Sequence, residues 1–283
     1  MRSRGSSAAR LRQVAEALIP ASRVVYRLRR DARRQERRAA REVEAALRDL
    51  GRHVVQVTAD QGGLIVDTAE AHREPVPGLQ EGQEQLVVEA SRREAQRINA
   101  IIRAAKLRDW RKGKLGPVLK RIWERATGST LDTMEAAGVE VSNRDRIQQR
   151  VLQTGGRRLG MIDIEAQTKA ALFRTLDKAR AEGLSPIEVA REMRWQVPAG
   201  PFPHAGPKYR AELIARTEIL HSQRTASSAA YRQDPLINRV IAFDGDKDAE
   251  CAARNGRTYT LDQADEEIAA THPNCVLAFG PVV

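Results

Sequence analysis

Cys251, His272 and Cys275 are the residues of this chain with the most chemistry available to them. Thiolate sulfur and imidazole nitrogen are the ligands that proteins offer to zinc. A cysteine three positions from a histidine is also the material of a nucleophile and its base. Both cysteines of the 283 residues lie in this stretch, 24 positions apart. As a zinc set the three fall one short of a closed structural site, which takes four. Asp244, Asp246 or Asp248 would supply the fourth ligand. The alternative is that the thiols pack in a small core or pair with each other. As a catalyst, Cys275 would attack and His272 would accept its proton. No third group to orient the base is identifiable, and Pro273-Asn274 suits a turn. The three aspartates are spaced like the opening of a calcium loop, but that loop needs Gly sixth and Glu twelfth. Ala249 and Asn255 stand there, so the acids read as caps for the helix bearing Cys251. The cluster is therefore read as structural, with no cofactor and no catalytic residue assigned.

These residues need elements to hold them. Arg239–Phe243 reads as a strand, followed by an acidic turn and a short helix through Cys251. Asn255-Gly256 is a turn pair, residues 257–260 a second strand, and residues 275–279 a third after the His272-Pro273 turn. Upstream, a helix over 208–232 carries Arg216, Glu218 and Arg224, for which a buried Arg–Glu pair fixing helix to sheet is expected. Ser185-Pro186-Ile187-Glu188 is a capping box that starts a helix over 186–195. Four prolines between positions 197 and 207 predict a loop. Helical spacing also predicts helices over 11–19, from Ser22 to about Leu50, and over 84–111, 117–136, 143–153 and 162–182. Glycine and proline at 112–117 predict a break. Residues 51–68 fit either a hairpin or continued helix, and residues 74–83 a loop. The expected fold is α+β: an extended, mostly helical N-terminal two-thirds, then a small C-terminal domain with a short antiparallel sheet. Boundaries are expected at 1–83, 84–207 and 208–283.

Charge adds a second candidate site. The net charge of +11 divides as +8 in residues 1–50, +3 in 51–150 and zero in 151–283. Residues 91–125 alone hold 12 Lys/Arg against 3 Asp/Glu. Arg92, Arg93, Arg97, Arg103, Lys106, Arg108, Arg111, Lys112, Lys114, Lys120 and Arg121 are the candidate contacts to a polyanion or an acidic protein surface. Such cations neutralise phosphates without reading sequence, so binding to double-stranded DNA would be nonspecific. Trp110 and Trp123 fall in the same tract, where they either stack on bases or fill the core. Residues 27–41 are polar all round and either bridge solvent or lie on a partner. No apolar run approaches the ~20 residues of a membrane span, and no signal-peptide core is visible. A soluble protein kept in a reducing cytosol is expected.

Taken in order, Ala215-Arg216-Thr217-Glu218, Phe243-Asp244, Cys251, Asn255-Gly256 with Tyr259, and His272-Pro273-Asn274-Cys275 resemble the phage Mu F-like head morphogenesis family of minor capsid proteins. Gly183-Leu184-Ser185-Pro186-Ile187-Glu188 extends the likeness, which covers roughly 115–283. The chain departs from the family at Arg254 and Leu277, where a second and a last cysteine often stand. The resemblance implies a structural virion component, packaged in several copies inside the head near the portal vertex after assembly in the host cytoplasm. It implies portal protein as a partner, with genomic DNA, scaffold or major capsid protein as further ones, and no membrane. It makes Arg216, Glu218, Asp244, Cys251, Gly256, His272, Pro273 and Cys275 the residues of a structural signature. The competing expectation is an enzyme carried in the capsid, either a head maturation protease or a toxin-like domain.

Overall fold

The computed structural model describes residues 21–61, 81–154, 163–245, 249–273 and 275–282. The expected helix over 11–19, residues 62–68 of the segment expected as hairpin or helix, residues 74–80 of the expected loop, Asp246 and Asp248 lie outside them. The fold is α+β. Its order is α1 (Ala21–Asp60), α2 (Glu81–Ala104), α3 (Leu107–Trp110), a π turn (Arg111–Leu115), α4 (Gly116–Glu135), α5 (Arg144–Thr154), α6 (Ile164–Glu182), α7 (Pro186–Ala199), α8 (Gly206–Tyr231), β1 (Arg239–Phe243), α9 (Ala249–Arg254), β2 (Thr258–Thr260), α10 (Leu261–Ala270) and β3 (Ala278–Val282). The chain divides into two compact units. One takes Met1–Ala40, Leu119–Arg158 and Leu213–Val283; the other takes Arg41–Val118 and Leu159–Glu212.

The first unit holds the sheet, in the order β2-β1-β3, antiparallel throughout. Val240, Ala242 and Phe279 of the sheet pack with Val24 and Leu28 of α1, Leu131 and Met134 of α4, Ile147 and Val151 of α5, and Ala226, Ala230 and Tyr231 of α8. Tyr231 donates its buried hydroxyl to the Phe279 carbonyl at 2.9 Å, tying α8 to β3. The polar stretch of α1 lies on the chain's own core: Val24, Leu28, Ala32 and Ala39 recur at helical spacing and are buried. Small alanines make the stripe, so it does not stand out by hydrophobicity. Residues 51–60 continue α1 as helix.

In the second unit Val43, Leu47, Leu50 and Val54 of α1, Ile98 and Ile101 of α2, Leu172 and Leu176 of α6, and Val189 and Met193 of α7 are buried. The capping box at Ser185 is present with both reciprocal bonds. Helix α7 runs four residues past its expected end, with Pro198 inside it, because Val197, Pro198 and Ala199 are all buried. The break expected at 112–117 falls earlier, at Lys106, whose backbone is left-handed (φ 43). Through Lys112-Gly113-Lys114 the chain stays helical as a π turn, with Gly116 N–H donating to the Arg111 carbonyl and Leu115 wholly buried. Pro117 then sits in the first turn of α4, where its missing N–H costs nothing.

Arg210 has the largest side chain of those fully buried, at 1% exposure. Its Nη1 donates to the Val197 and Pro198 carbonyls at 3.3 and 3.0 Å, and its Nη2 to Gln167. Gly200 makes room for it: a Cβ there would lie 2.6 Å from Nη1, and the backbone has φ +58. Burial pulls the Arg210 guanidinium down to about 10, which leaves it charged at neutral pH.

Candidate functional site: a thiol–imidazole cluster and a basic helical tract

The cluster is built by two turns of the first unit. Asn255-Gly256 returns the chain from α9 to β2: Gly256 takes φ +79, and its N–H donates to Ala242 of β1 at 2.8 Å. Asn255 Oδ1 accepts the Asp244 N–H at 3.0 Å, closing the other side of the turn. After α10, Cys275 N–H donates to the His272 carbonyl at 3.3 Å and draws the His272-Pro273 segment into a tight turn. The result brings Cys251 Sγ, a nitrogen of His272 and Cys275 Sγ within 4.8 Å of one another. Both cysteines are wholly buried, His272 is half-buried and Pro273 is exposed. No disulfide joins the two thiols.

The histidine is fixed from outside. Its Nδ1 lies 2.8 Å from the Pro273 carbonyl, which can only accept, so the ring proton sits on Nδ1. The Nε2 lone pair then faces Cys251 Sγ at 3.3 Å. The sequence pairs His272 with Cys275, its neighbour; its hydrogen-bond contact in the fold is with Cys251, 21 positions away. Arg254 Nη2 donates to the same sulfur at 3.2 Å. Burial pulls the Arg254 guanidinium down, and its bonds to Cys251 and Glu267 reverse this and hold it above its ordinary value. Its Nε lies 3.5 Å from Asp244, whose side chain has no exposed surface.

Arg216 and Glu218 anchor α8. Arg216 meets Glu36 of α1 at 2.5 Å, and buried Glu218 accepts the Trp123 indole N–H at 2.6 Å. Besides Tyr231, a tie from this helix to the sheet region is Arg224, which donates to the Cys275 carbonyl at 2.8 Å. Arg29 of α1 donates to the Phe243 and Val276 carbonyls at 2.9 and 3.1 Å. These bonds engage the carbonyls of residues 275 and 276 outside the sheet, and β3 starts three residues later than expected, at Ala278. Helix α10 is an element that the sequence patterns above do not include; its signal is the capping box of Thr260 and Gln263.

That helix carries Asp265, which accepts from Ser228 of α8 at 2.6 Å, Arg150 of α5 at 2.8 Å and Arg232 at 2.9 Å. Burial pushes the Asp265 carboxyl up, but the serine hydroxyl and the two guanidinium groups outweigh it and hold it below its ordinary value. A depressed carboxylate stabilises the fold above its unfolded pKa of about 3.9 and loses that contribution as pH falls through the folded value. Asp265→Ala is expected to cost about 1–3 kcal/mol at pH 7, with a gap from the parent that closes below about pH 4. Urea unfolding at stepped pH measures both; a gap constant down to pH 2 would refute the assignment.

The basic tract is spread over helices. Arg92, Arg93, Arg97 and Arg103 on α2, Lys106, Arg108 on α3, and Arg111, Lys112 and Lys114 on the π turn are all exposed. In the other unit Lys120 and Arg121 of α4 are exposed, with Lys120 3.8 Å from Glu124. The tryptophans are not stacking platforms. Trp110 is buried and donates to Asp49 at 3.2 Å; Trp123 packs against the core. A further cationic surface lies on the polar stretch of α1 that the sequence marks as solvent-bridging or partner-facing: Tyr26, Arg29, Arg30, Arg33, Arg34 and Arg37 line a shallow pocket of about 530 Å³. Its signal is the arginine spacing of three and four within the polar stretch of α1. Among the described residues no helix is long and apolar enough to cross a membrane. No family model, no curated protein and no solved structure matches the chain.

Proposed function

We propose that the chain is a non-enzymatic minor capsid protein of a tailed phage, packaged inside the head near the portal. In that role it binds portal protein, genomic DNA or both during assembly, packaging or ejection. The observation that carries the reading is the exposure of every candidate cation from Arg92 to Arg121, all but Lys106 on helical segments. Lys and Arg presented this way suit a polyanion recognised by charge alone. The family-like residues support the structural half of the reading, since Arg216, Glu218, Gly256 and the cluster residues hold helix, turns and strands together. The competing enzyme would work through Cys275 with His272 as its base, and Cys275 is wholly buried.

The purified chain is expected to bind long duplex DNA with an affinity that falls steeply as salt rises, with no preference among sequences. Absence of binding at low salt would remove DNA and leave protein as the partner. A phage lacking the chain should yield heads of reduced infectivity, and a wild-type titre would remove the morphogenetic role.

A further inference from the structure

We infer that Cys251, His272 and Cys275 form a three-ligand zinc site. It is independent of the capsid reading and rests on the geometry of one turn cluster.

Three soft donors from separate elements converge: one on α9, two on the turn before β3. A tetrahedral zinc ion with bonds of about 2.3 Å to sulfur and 2.0–2.1 Å to nitrogen needs donors about 3.6–3.8 Å apart. Cys251 Sγ and His272 Nε2 are already 3.3 Å apart, and no pair in the set exceeds 4.8 Å. Rotation of the cysteine side chains closes the remainder, a movement of about 1 Å at most.

The surroundings are those of a ligand set. The Pro273 carbonyl fixes the proton on Nδ1 and leaves the Nε2 lone pair facing the sulfur, which is the usual support for a zinc-bound imidazole. Arg254 donates an N–H to the Cys251 sulfur, as outer groups do around bound thiolates. Two thiolates neutralise the ion, and Asp244 at 3.5 Å and Glu267 at 3.3 Å flank the Arg254 guanidinium. Among the described residues three ligands converge. A zinc ion with three protein ligands takes water as its fourth, and half-exposed His272 gives water its approach. Binding releases the two thiol protons to solvent, and no bond is oxidised or reduced.

The test uses the full chain purified under reducing conditions without chelator. It should hold one zinc per chain by elemental analysis. Cobalt(II) added to chelator-stripped protein should give tetrahedral ligand-field bands and a thiolate-to-cobalt charge-transfer band, both saturating at one equivalent. Cys251→Ser and Cys275→Ser should abolish the charge-transfer band or halve it. His272→Gln should weaken zinc by more than about 100-fold, while Arg254→Met, an outer-shell change, should weaken it about 10-fold. Should the cysteine variants not fold, the cobalt spectrum of the parent chain decides alone. A folded parent that retains no zinc and gives no charge-transfer band overturns the inference. So does a Cys251–Cys275 disulfide found by mass spectrometry in protein prepared without oxidant.

Discussion

Arg210→Ala should lower the stability of the chain by about 3–5 kcal/mol, from the stranded acceptors and the cavity it leaves. The side chain is 1% exposed and serves two main-chain carbonyls at the end of α7 as well as Gln167 of α6. Pro198 has no N–H, and the Val197 and Pro198 carbonyls sit at a helix end, where carbonyls have no intrahelical donor. Truncating Arg210 strands both acceptors in a dry site and leaves a cavity. At about 2–4 °C per kcal/mol for a chain of this size, the thermal midpoint should fall by roughly 6–20 °C. Gly200→Ala should also destabilise, because its Cβ and the guanidinium claim the same space. The double variant should lose less than the sum of the two single losses. Calorimetry on the three variants checks this. Additive losses would mean that Gly200 is needed only for its backbone conformation.

Neutralising Arg103, Lys106, Arg111, Lys112 and Lys114 to Gln should have the largest effect on DNA binding. Every phosphate left without its cation takes about 0.9 off the slope of log affinity against log salt, so the slope should shrink by about 4–5. Between 50 and 200 mM salt the variant should therefore lose about 10²–10³-fold less affinity than the parent. All five are exposed, so the fold should be affected by no more than about 0.5 kcal/mol at each position. The control neutralises Arg191, Arg194, Lys208, Arg239 and Arg257, which are equally exposed. A control that weakens binding as much would make the interaction a property of overall charge rather than of the tract.

Much of the fold is legible because local signals and packing agree. The Ser185 capping box, the strand at Arg239–Phe243 and the turn at Gly256 stand where residue chemistry puts them. Where they differ, tertiary bonds override local preference. Arginines from α1 and α8 claim the carbonyls of Val276 and Cys275, and β3 starts beyond them. Burial of Leu115 carries helix through Gly113, and burial of Val197 and Ala199 carries it through Pro198. The cluster is legible as residue types only. Spacing pairs His272 with Cys275, whereas the fold turns its Nε2 to Cys251, a contact that depends on α10 spanning the interval between them.

The unit that holds the sheet is assembled from three segments, and its core joins Val24 and Leu28 to Leu277 and Phe279. During synthesis, α1 leaves the ribosome with its apolar stripe long before the residues that cover it exist. At about 5–20 residues per second the delay is on the order of ten seconds or more. Residues 41–118 and 159–212, which make the other unit, are complete well before then. The order of translation therefore favours an order of folding in which the unit of residues 41–118 and 159–212 matures first. The thiol cluster and the sheet close last, in one long-range step that is intrinsically slow because its partners lie so far apart along the chain.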